Sequence, residues 1–367
     1  MSKQRITFVL ILMYYSYSIL AQTLDSTYIA HRETKLPDVE IFGYMQPQFR
    51  WETPVSVGIV NKQEMEQQSV VSMVPALNTV PGVRMEERSP GSYRLSIRGS
   101  LVRSPYGVRN VKIYYNDFAL TDAGGNTYLN VLNVNDLQSM EILKGPDGSL
   151  FGANSGGVVL LKSNTNATST LKLNAYGGSY GLFGNSIYLS RNSGKHFWTI
   201  RQSYQRSDGY RNNSANYRLF LQISDKWQYK AHNFLETYLF YSDLDYHTPG
   251  GLTKQQYDDD PRQSRPATAT MPGSAEQKTR ISTRMYFAGI KHQARILPFL
   301  THTISLWYNH VDFVYPFITN YEIRNEDNVG LRTYFTLQKP VEDFRSSDWQ
   351  PSLNIGFEGQ RLFTDAY

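Results

Sequence analysis

Gly177-Gly178-Ser179-Tyr180-Gly181 has the G-x-S-x-G spacing of a nucleophile elbow, in which a serine on a sharp strand-to-helix turn is presented for attack on an acyl carbon. An elbow needs a helix after the turn. Here Phe183 to Leu189 alternates apolar with polar residues, so the spacing predicts a second strand, with the glycines as a hairpin turn. The seven histidines are dispersed, with no H-E-x-x-H pattern and no close His–carboxylate set. His302 and His310 share strand parity, which suits a polar lumen or an interface. Asp258-Asp259-Asp260 could take a divalent cation, but reads first as a solvated loop tip. There is no Walker A glycine loop to bind a nucleotide. Zero cysteines exclude a disulfide framework, a thiolate metal site, a cysteine nucleophile and a lipid anchor on an N-terminal Cys. The expectation is a chain that is not an enzyme and requires no cofactor or metal.

Charge narrows the partners. The 37 Lys and Arg are interspersed with 32 Asp and Glu, so the net +5 forms no basic stripe and nucleic acid is not an expected partner. Tyr and Phe are plentiful, at 27 and 18, while mean hydropathy is negative. Short apolar alternations in a polar chain suit a barrel with a polar lining.

The elements that would position any site follow in order. Lys3 and Arg5 precede an apolar run from Ile6 to about Tyr15, and Ser16 to Ala21 leads into polar sequence, so residues 1–21 read as a cleavable signal peptide. The run is shorter than the roughly 20 residues of a membrane helix, and no such stretch occurs later. Residues 22–50 are polar, carry Pro37 and Pro47 and predict an extended tail. Within it, Asp38-Val39-Glu40-Ile41-Phe42 alternates acids with apolar residues, a pattern able to join another sheet's edge.

Residues 51–163 predict a small α+β domain, a mixed sheet with short helices. Val55 to Ile59 alternates as a strand, Asn61 and Glu64 form a capping box, and a second helix is expected from a Ser72 cap to Val80, stopped by Pro81-Gly82. Further strands are expected around 83–86, 94–98, 110–115, 140–144 and 158–162. From 164 to 367 helical periodicity is gone, and about nine segments alternate. Trp198, Ile200 and Tyr204 oppose Arg201 and Ser203; Tyr217, Leu219, Leu221 and Ile223 oppose Arg218 and Gln222. A soluble β-sandwich alternates in the same way. Unequal connections, tight at Gly177–Gly181 and long and polar from Asp243 to about Lys278, favour antiparallel transmembrane β-barrel strands.

Three ordered stretches carry a resemblance to the TonB-dependent outer-membrane receptors. Val80-Pro81-Gly82-Val83-Arg84 followed by Leu95-Ser96-Ile97-Arg98-Gly99 looks like the family's "VPGV…IRG" signature. Val111 to Asp122 resembles its "V-x-V-x-x-D-G-x-P-x-T-D" stretch. Met140-Glu141-Ile142-Leu143-Lys144-Gly145-Pro146, with Ser149 to Asn154 and Gly156-Gly157-Val158-Val159, is similar to the end of its plug domain. The glycines also read physically, Gly145-Pro146 as a tight turn and Gly156-Gly157 as a close backbone approach.

The resemblance implies a plug seated in an outer-membrane β-barrel, and energy-coupled uptake of a scarce solute, a ferric siderophore or ferric citrate first among candidates. By the same resemblance Asp38, Val39, Glu40, Ile41 and Phe42 occupy the place of the TonB box. That strand pairs in the periplasm with TonB, which is driven by its inner-membrane motor complex. Outer-membrane lipid and a small-molecule ligand such as a ferric chelate are the other partners implied. Plug loops of the family reach ligand, which points to Arg88, Arg103 and Arg109 for an anionic chelate and to Ser92, Tyr93 and Tyr106 beside it. The departure is length: plugged barrels of this type have about 22 strands, so nine imply a truncated or split reading frame and an incomplete barrel. A secreted β-rich binding or adhesion protein and a hydrolase built on Ser179 remain as alternatives.

Overall fold

The computed structural model describes residues 40–41, 48–49, 56–87, 89, 91–100, 107–145, 151–152, 156–163, 168–316, 321–338 and 351–367. The signal-peptide reading, most of the tail, and Arg88, Arg103 and Tyr106 lie outside the described residues.

Two short strands open the described chain. β1 (Glu40–Ile41) pairs antiparallel with β2 (Gln48–Phe49), Glu40 opposite Phe49 and Ile41 opposite Gln48. The first domain then runs β3 (Val57–Asn61), α1 (Lys62–Gln68), α2 (Val74–Asn78), β4 (Val83–Glu87), β5 (Tyr93–Ile97), β6 (Val108–Arg109), β7 (Lys112–Tyr115), β8 (Phe118–Ala119), β9 (Asn126–Thr127), β10 (Ser139–Lys144) and β11 (Gly157–Lys162). Its main sheet has the order β3-β10-β11-β7-β8, antiparallel except for the parallel β11–β7 pair; β4–β5 and β6–β9 are separate ribbons.

The capping box forms as the sequence predicts. Asn61 Oδ1 accepts the Glu64 N–H at 2.9 Å and Glu64 Oε2 accepts the Asn61 N–H at 2.8 Å. The second helix is shorter than expected, ending at Asn78 rather than Val80. Its cap is also shifted: Ser72 Oγ accepts the Val74 N–H at 3.3 Å, but Met73 is the capping residue. The early stop has a cause in the Asn78 side chain, whose amide donates to Met85 O at 3.0 Å and accepts from Met85 N at 2.7 Å. That pair of bonds ties the end of α2 to β4.

Gly156 and Gly157 make the close approach expected of them. A Cβ on Gly156 would stand 2.4 Å from Asn110 O, and one on Gly157, whose φ is +125°, would stand 2.3 Å from Leu143 O. Beside them Val158, Val159, Leu160 and Leu161 are all buried, so β11 is covered on both faces.

After residue 168 come nine strands: β12 (Thr170–Gly177), β13 (Phe183–Ser193), β14 (His196–Ser207), β15 (Asn216–Lys230), β16 (Asn233–His247), β17 (Arg280–Leu297), β18 (Leu300–Pro316), β19 (Tyr321–Gln338) and β20 (Ser352–Ala366). They pair in strict sequence order as one antiparallel sheet with β12 and β20 at its edges, so the barrel is not closed. A further helix, α3 (Lys254–Asp259), sits in the β16–β17 connection.

The connections sort by end. At one end they are the two-residue turns 194–195, 231–232 and 298–299 and the longer connection 339–351; at the other lie 178–182, 208–215, 248–279 and 317–320. Gly177–Gly181 is indeed a hairpin turn, closed by Gly178 N–H to Leu182 O at 2.9 Å, with Ser179 between two strands and not at the head of a helix. His302 and His310 face outward with Leu306 and Tyr308, which excludes the lumen and keeps the interface of the two settings expected for them.

The nine strands present one apolar face outward. Leu171, Ile223, Leu239, Leu306 and Ile355 are among its exposed residues, and among the described residues no second sheet packs against it. The inward face covers the first domain.

Candidate functional site

The inward face meets the first domain through three charged clasps and an aromatic seat. The first clasp lies at the turn between β7 and β8, where Asn116 adopts φ +54° and carries the chain sharply round. Asp117, next in that turn, pairs with Lys291 of β17, whose Nζ also lies 3.9 Å from Glu236 of β16. Burial pushes the Asp117 carboxyl upward, but Lys291, Lys162 and Arg332 more than offset it and hold the group well below the usual carboxylate range. A lysine this enclosed is stable as a charge only because two carboxylates face it.

Around that turn the wall supplies rings. Phe118 meets Tyr238, Phe287 and Trp307 edge-on at 5.5, 5.7 and 6.4 Å between centroids, and Phe240 stacks on Phe287 at 4.7 Å. Tyr115 donates its hydroxyl to Gln222 Oε1. Edge-to-face and offset contacts of this kind add specific geometry to apolar burial.

The second clasp uses both residues that flank Ile113. Tyr114 donates to Glu358 Oε2 at 2.8 Å, Lys112 pairs with the same carboxylate, and Arg332 lies 3.6 Å from it and 4.8 Å from the Phe151 ring. The third lies near the long-loop end. Tyr128 donates to Glu326 Oε2 at 3.0 Å and accepts from Arg324, which also pairs with Glu326 at 2.9 Å. Wall side chains reach backbone as well: Arg218 donates to Leu132 O at 2.9 Å and Ser242 to Val131 O at 2.8 Å.

Of the sequence-derived ligand residues, three fall within the described chain. Ser92 and Tyr93 are buried, at 7% and 5% exposure, with Tyr93 part of the domain core beside Gly91, which packs near the Tyr246 ring. Glu87 accepts the Gly91 N–H at 2.7 Å, and burial raises its carboxyl above the ordinary range. Arg109 is exposed on β6, directly opposite Asn126 of β9. The structure thus brings Arg109 toward the long-loop end and leaves Tyr93 in the core.

Sequence reasoning missed Asn126. It is 4% exposed, and both amide atoms of its side chain lack a hydrogen-bond partner. Buried polar atoms are usually satisfied, so an orphan amide beside an exposed arginine marks a place where a bound molecule could supply the missing bonds. Gly107, at φ +71°, exists to make room for it, since a Cβ there would stand 2.2 Å from Asn126 Oδ1. Among the described residues no group of three His, Cys, Asp or Glu side chains could hold a metal ion.

Of the Asp38–Phe42 segment, Glu40 and Ile41 fall within the described residues as β1, already in extended pairing geometry; Asp38, Val39 and Phe42 lie outside them.

Comparison with known proteins adds a family model and a fold. Residues 50–159 match the model described as TonB-dependent Receptor Plug Domain. The vitamin B12 transporter BtuB of Vibrio vulnificus (strain CMCP6) is 24% identical over 126 residues, which cover 33% of this chain and 20% of that protein. The crystal structure of the ferric citrate transporter FecA in its unliganded form superposes with a TM-score of 0.70 at 16% identity, over 86% of this chain and 48% of that one. BauA, the ferric preacinetobactin receptor from Acinetobacter baumannii, also gives 0.70, at 15% identity over 89% and 50%. At such identities the structural likeness speaks for the fold. The chain spans about half the length of these two structures.

Proposed function

We propose that this chain, a TonB-dependent receptor in its plug domain and in the fold of the strands that follow, serves energy-coupled uptake of a scarce solute across the bacterial outer membrane. The observation that carries the reading is the two-faced wall: charged clasps and rings grip the plug on one side, and a bare apolar surface remains on the other. A contiguous apolar face of that size is costly in water and neutral in lipid. It therefore favours a membrane wall over a secreted sandwich.

In this reading the long connections face the exterior and the two-residue turns face the periplasm, the ordinary polarity of outer-membrane barrels. The ligand is an anionic ferric chelate. Arg109 and Asn126 receive it at the long-loop end, with Arg88, Arg103 and Tyr106 assigned to the same ligand by the family resemblance alone and Ser92 and Tyr93 kept in the domain core. FecA and BauA are named for ferric citrate and ferric preacinetobactin, which supports iron chelates as the substrate class. TonB engages Asp38–Phe42 by strand addition, and the β1 pairing supports that segment's readiness to be extended. Work delivered there has to open the Asp117 and Glu358 clasps before solute passes.

A closed pore needs further strands between β20 and β12. A second reading is a receptor fragment that binds ligand without passing it. Both readings meet in one experiment. Deleting Asp38–Phe42 abolishes uptake of radiolabelled ferric citrate by producing cells and leaves cell-surface binding intact; uptake that persists refutes the TonB assignment, and binding without uptake by the undeleted chain selects the second reading.

A further inference from the structure

The outward face is not uniform along its length. Among the described residues, the exposed charges of this face at the short-turn end are Arg191, Lys195 and Lys230, and the outward acid there is Asp225; Arg295 is exposed on the inward parity, opposite Thr301. Two other cations of this end, Lys226 and Lys291, are occupied inward by Glu236. The long-loop end differs, because several of its outward cations are matched by acids, Arg284 by Asp243, Arg280 by Asp245, and His310 by Asp312 and Asp327, while Arg206 and Arg361 are further exposed cations on that face.

Histidines on aromatic rings accompany that excess of positive charge. His196 lies parallel to Trp227 at 5.8 Å, with Asp225 2.9 Å from Nδ1. His292 stacks on Tyr229 at 5.9 Å, its Nε2 2.6 Å from the phenol oxygen. His302 lies on Phe335 at 4.5 Å and bonds Thr333 Oγ1 at 2.9 Å. Strand parity puts all three outward, in line with the exposed Ile200, Ile290 and Leu306 further along the same strands. Each pair is a flat amphipathic plate with an apolar body and a polar rim, close to a two-residue turn.

We propose that this end of the wall is a headgroup site for anionic phospholipid, in which the His–aromatic plates seat at the acyl–headgroup boundary and Arg191, Lys195 and Lys230 hold the phosphates. The inference rests on the membrane-wall reading above. Aromatic belts occupy that boundary, and long basic side chains lay their stems along apolar surface while the charge reaches the phosphate layer. The three cations are spread over successive strands and turns and do not converge on one point. Such an array matches a lipid surface and is a poor trap for one free phosphate ion.

The test uses the full chain and two kinds of vesicle, pure phosphatidylcholine and phosphatidylcholine mixed with phosphatidylglycerol, separated by flotation. The chain is expected to prefer the anionic vesicles. Arg191→Gln, Lys195→Gln and Lys230→Gln, made singly and together, are expected to lower that preference about fivefold for each charge removed. Partition into phosphatidylcholine should not change, and Arg280→Gln at the opposite end should leave the preference as it was. Equal preference in the threefold variant and the parent overturns the proposal. So does release by excess inorganic phosphate at constant ionic strength, which would mark a free-anion site. A parent chain that floats with neither vesicle overturns the membrane-wall reading itself, an outcome distinct from insertion without anionic preference.

Discussion

β11 and β15 are both β-strands rich in apolar residues, yet they are held in place by different surroundings. Val158 to Leu161 of β11 are buried without alternation, covered by helices and loops of their own domain. On β15, Phe220 is fully buried against the plug side while Leu221 and Ile223, its neighbours on the opposite face, are 41% and 56% exposed. The plug has a core of its own. The wall borrows one, taking its inner partner from the plug and leaving its outer partner to the surroundings.

The largest expected effect breaks the coupling between the two regions. Lys291→Met leaves Asp117 without its paired cation in an enclosed space and Glu236 with Lys226 alone, and removing one partner of a buried ionic set typically costs about 3–5 kcal/mol. The loss falls on plug seating and spares the plug's own fold. In denaturant titrations of the folded chain, the plug should then leave the wall in a separate, earlier transition, while α1 and β11 keep their protection in hydrogen exchange. A single unshifted transition would show that the clasp holds nothing.

A second substitution sharpens the outer half of the comparison. Ile223→Arg places a charge on the bare face near the middle of β15, where a lipid-facing barrel position costs about 2–4 kcal/mol at the bilayer midplane. In detergent-free water the same exposed position would tolerate it within about 0.5 kcal/mol. The measurement is folding into vesicles of Ile223→Arg against the parent; an unchanged yield and midpoint would mean that lipid does not cover this face.

What was legible in the sequence divides along the same line. Alternation located all nine wall strands, because a half-buried strand writes its period into the chain. The capping box and the glycine pair in the plug were also readable, being local. Alternation does not reveal which face meets the plug, since Phe220, Phe240 and Phe287 are as apolar as the residues they alternate with. The Asp117–Lys291 clasp joins residues 174 apart, and no local pattern announces it. Asn126 was missed because an amide becomes informative only when its surroundings fail to satisfy it. The end of α2 was misplaced for the same kind of reason: Pro81-Gly82 is a real stop signal, but the contact between Asn78 and Met85 acts first.

The smallest effect, and the one that separates the two regions most cleanly, is their response to acid. Asp117 is held below its unfolded value of about 4, so its stabilising contribution is complete above roughly pH 4 and is lost as pH falls through its folded value. Glu87, inside the plug, is raised by burial and runs the other way: its ionisation is a cost in the folded plug, and that cost disappears as pH falls through its folded value. Acidification below pH 4 should therefore loosen the seat at the β7–β8 turn while leaving the β4–β5 ribbon no weaker. Hydrogen exchange corrected for intrinsic rates at the two places reads both effects in one sample. Asp117→Asn should weaken the seat at neutral pH and flatten its acid response, because Lys291 then keeps Glu236 alone as a carboxylate partner. Glu87→Gln should remove the opposite trend at the ribbon. Parallel loosening of both places on acidification would mean that the acid response comes from the fold as a whole and not from a seat and a core with separate electrostatics.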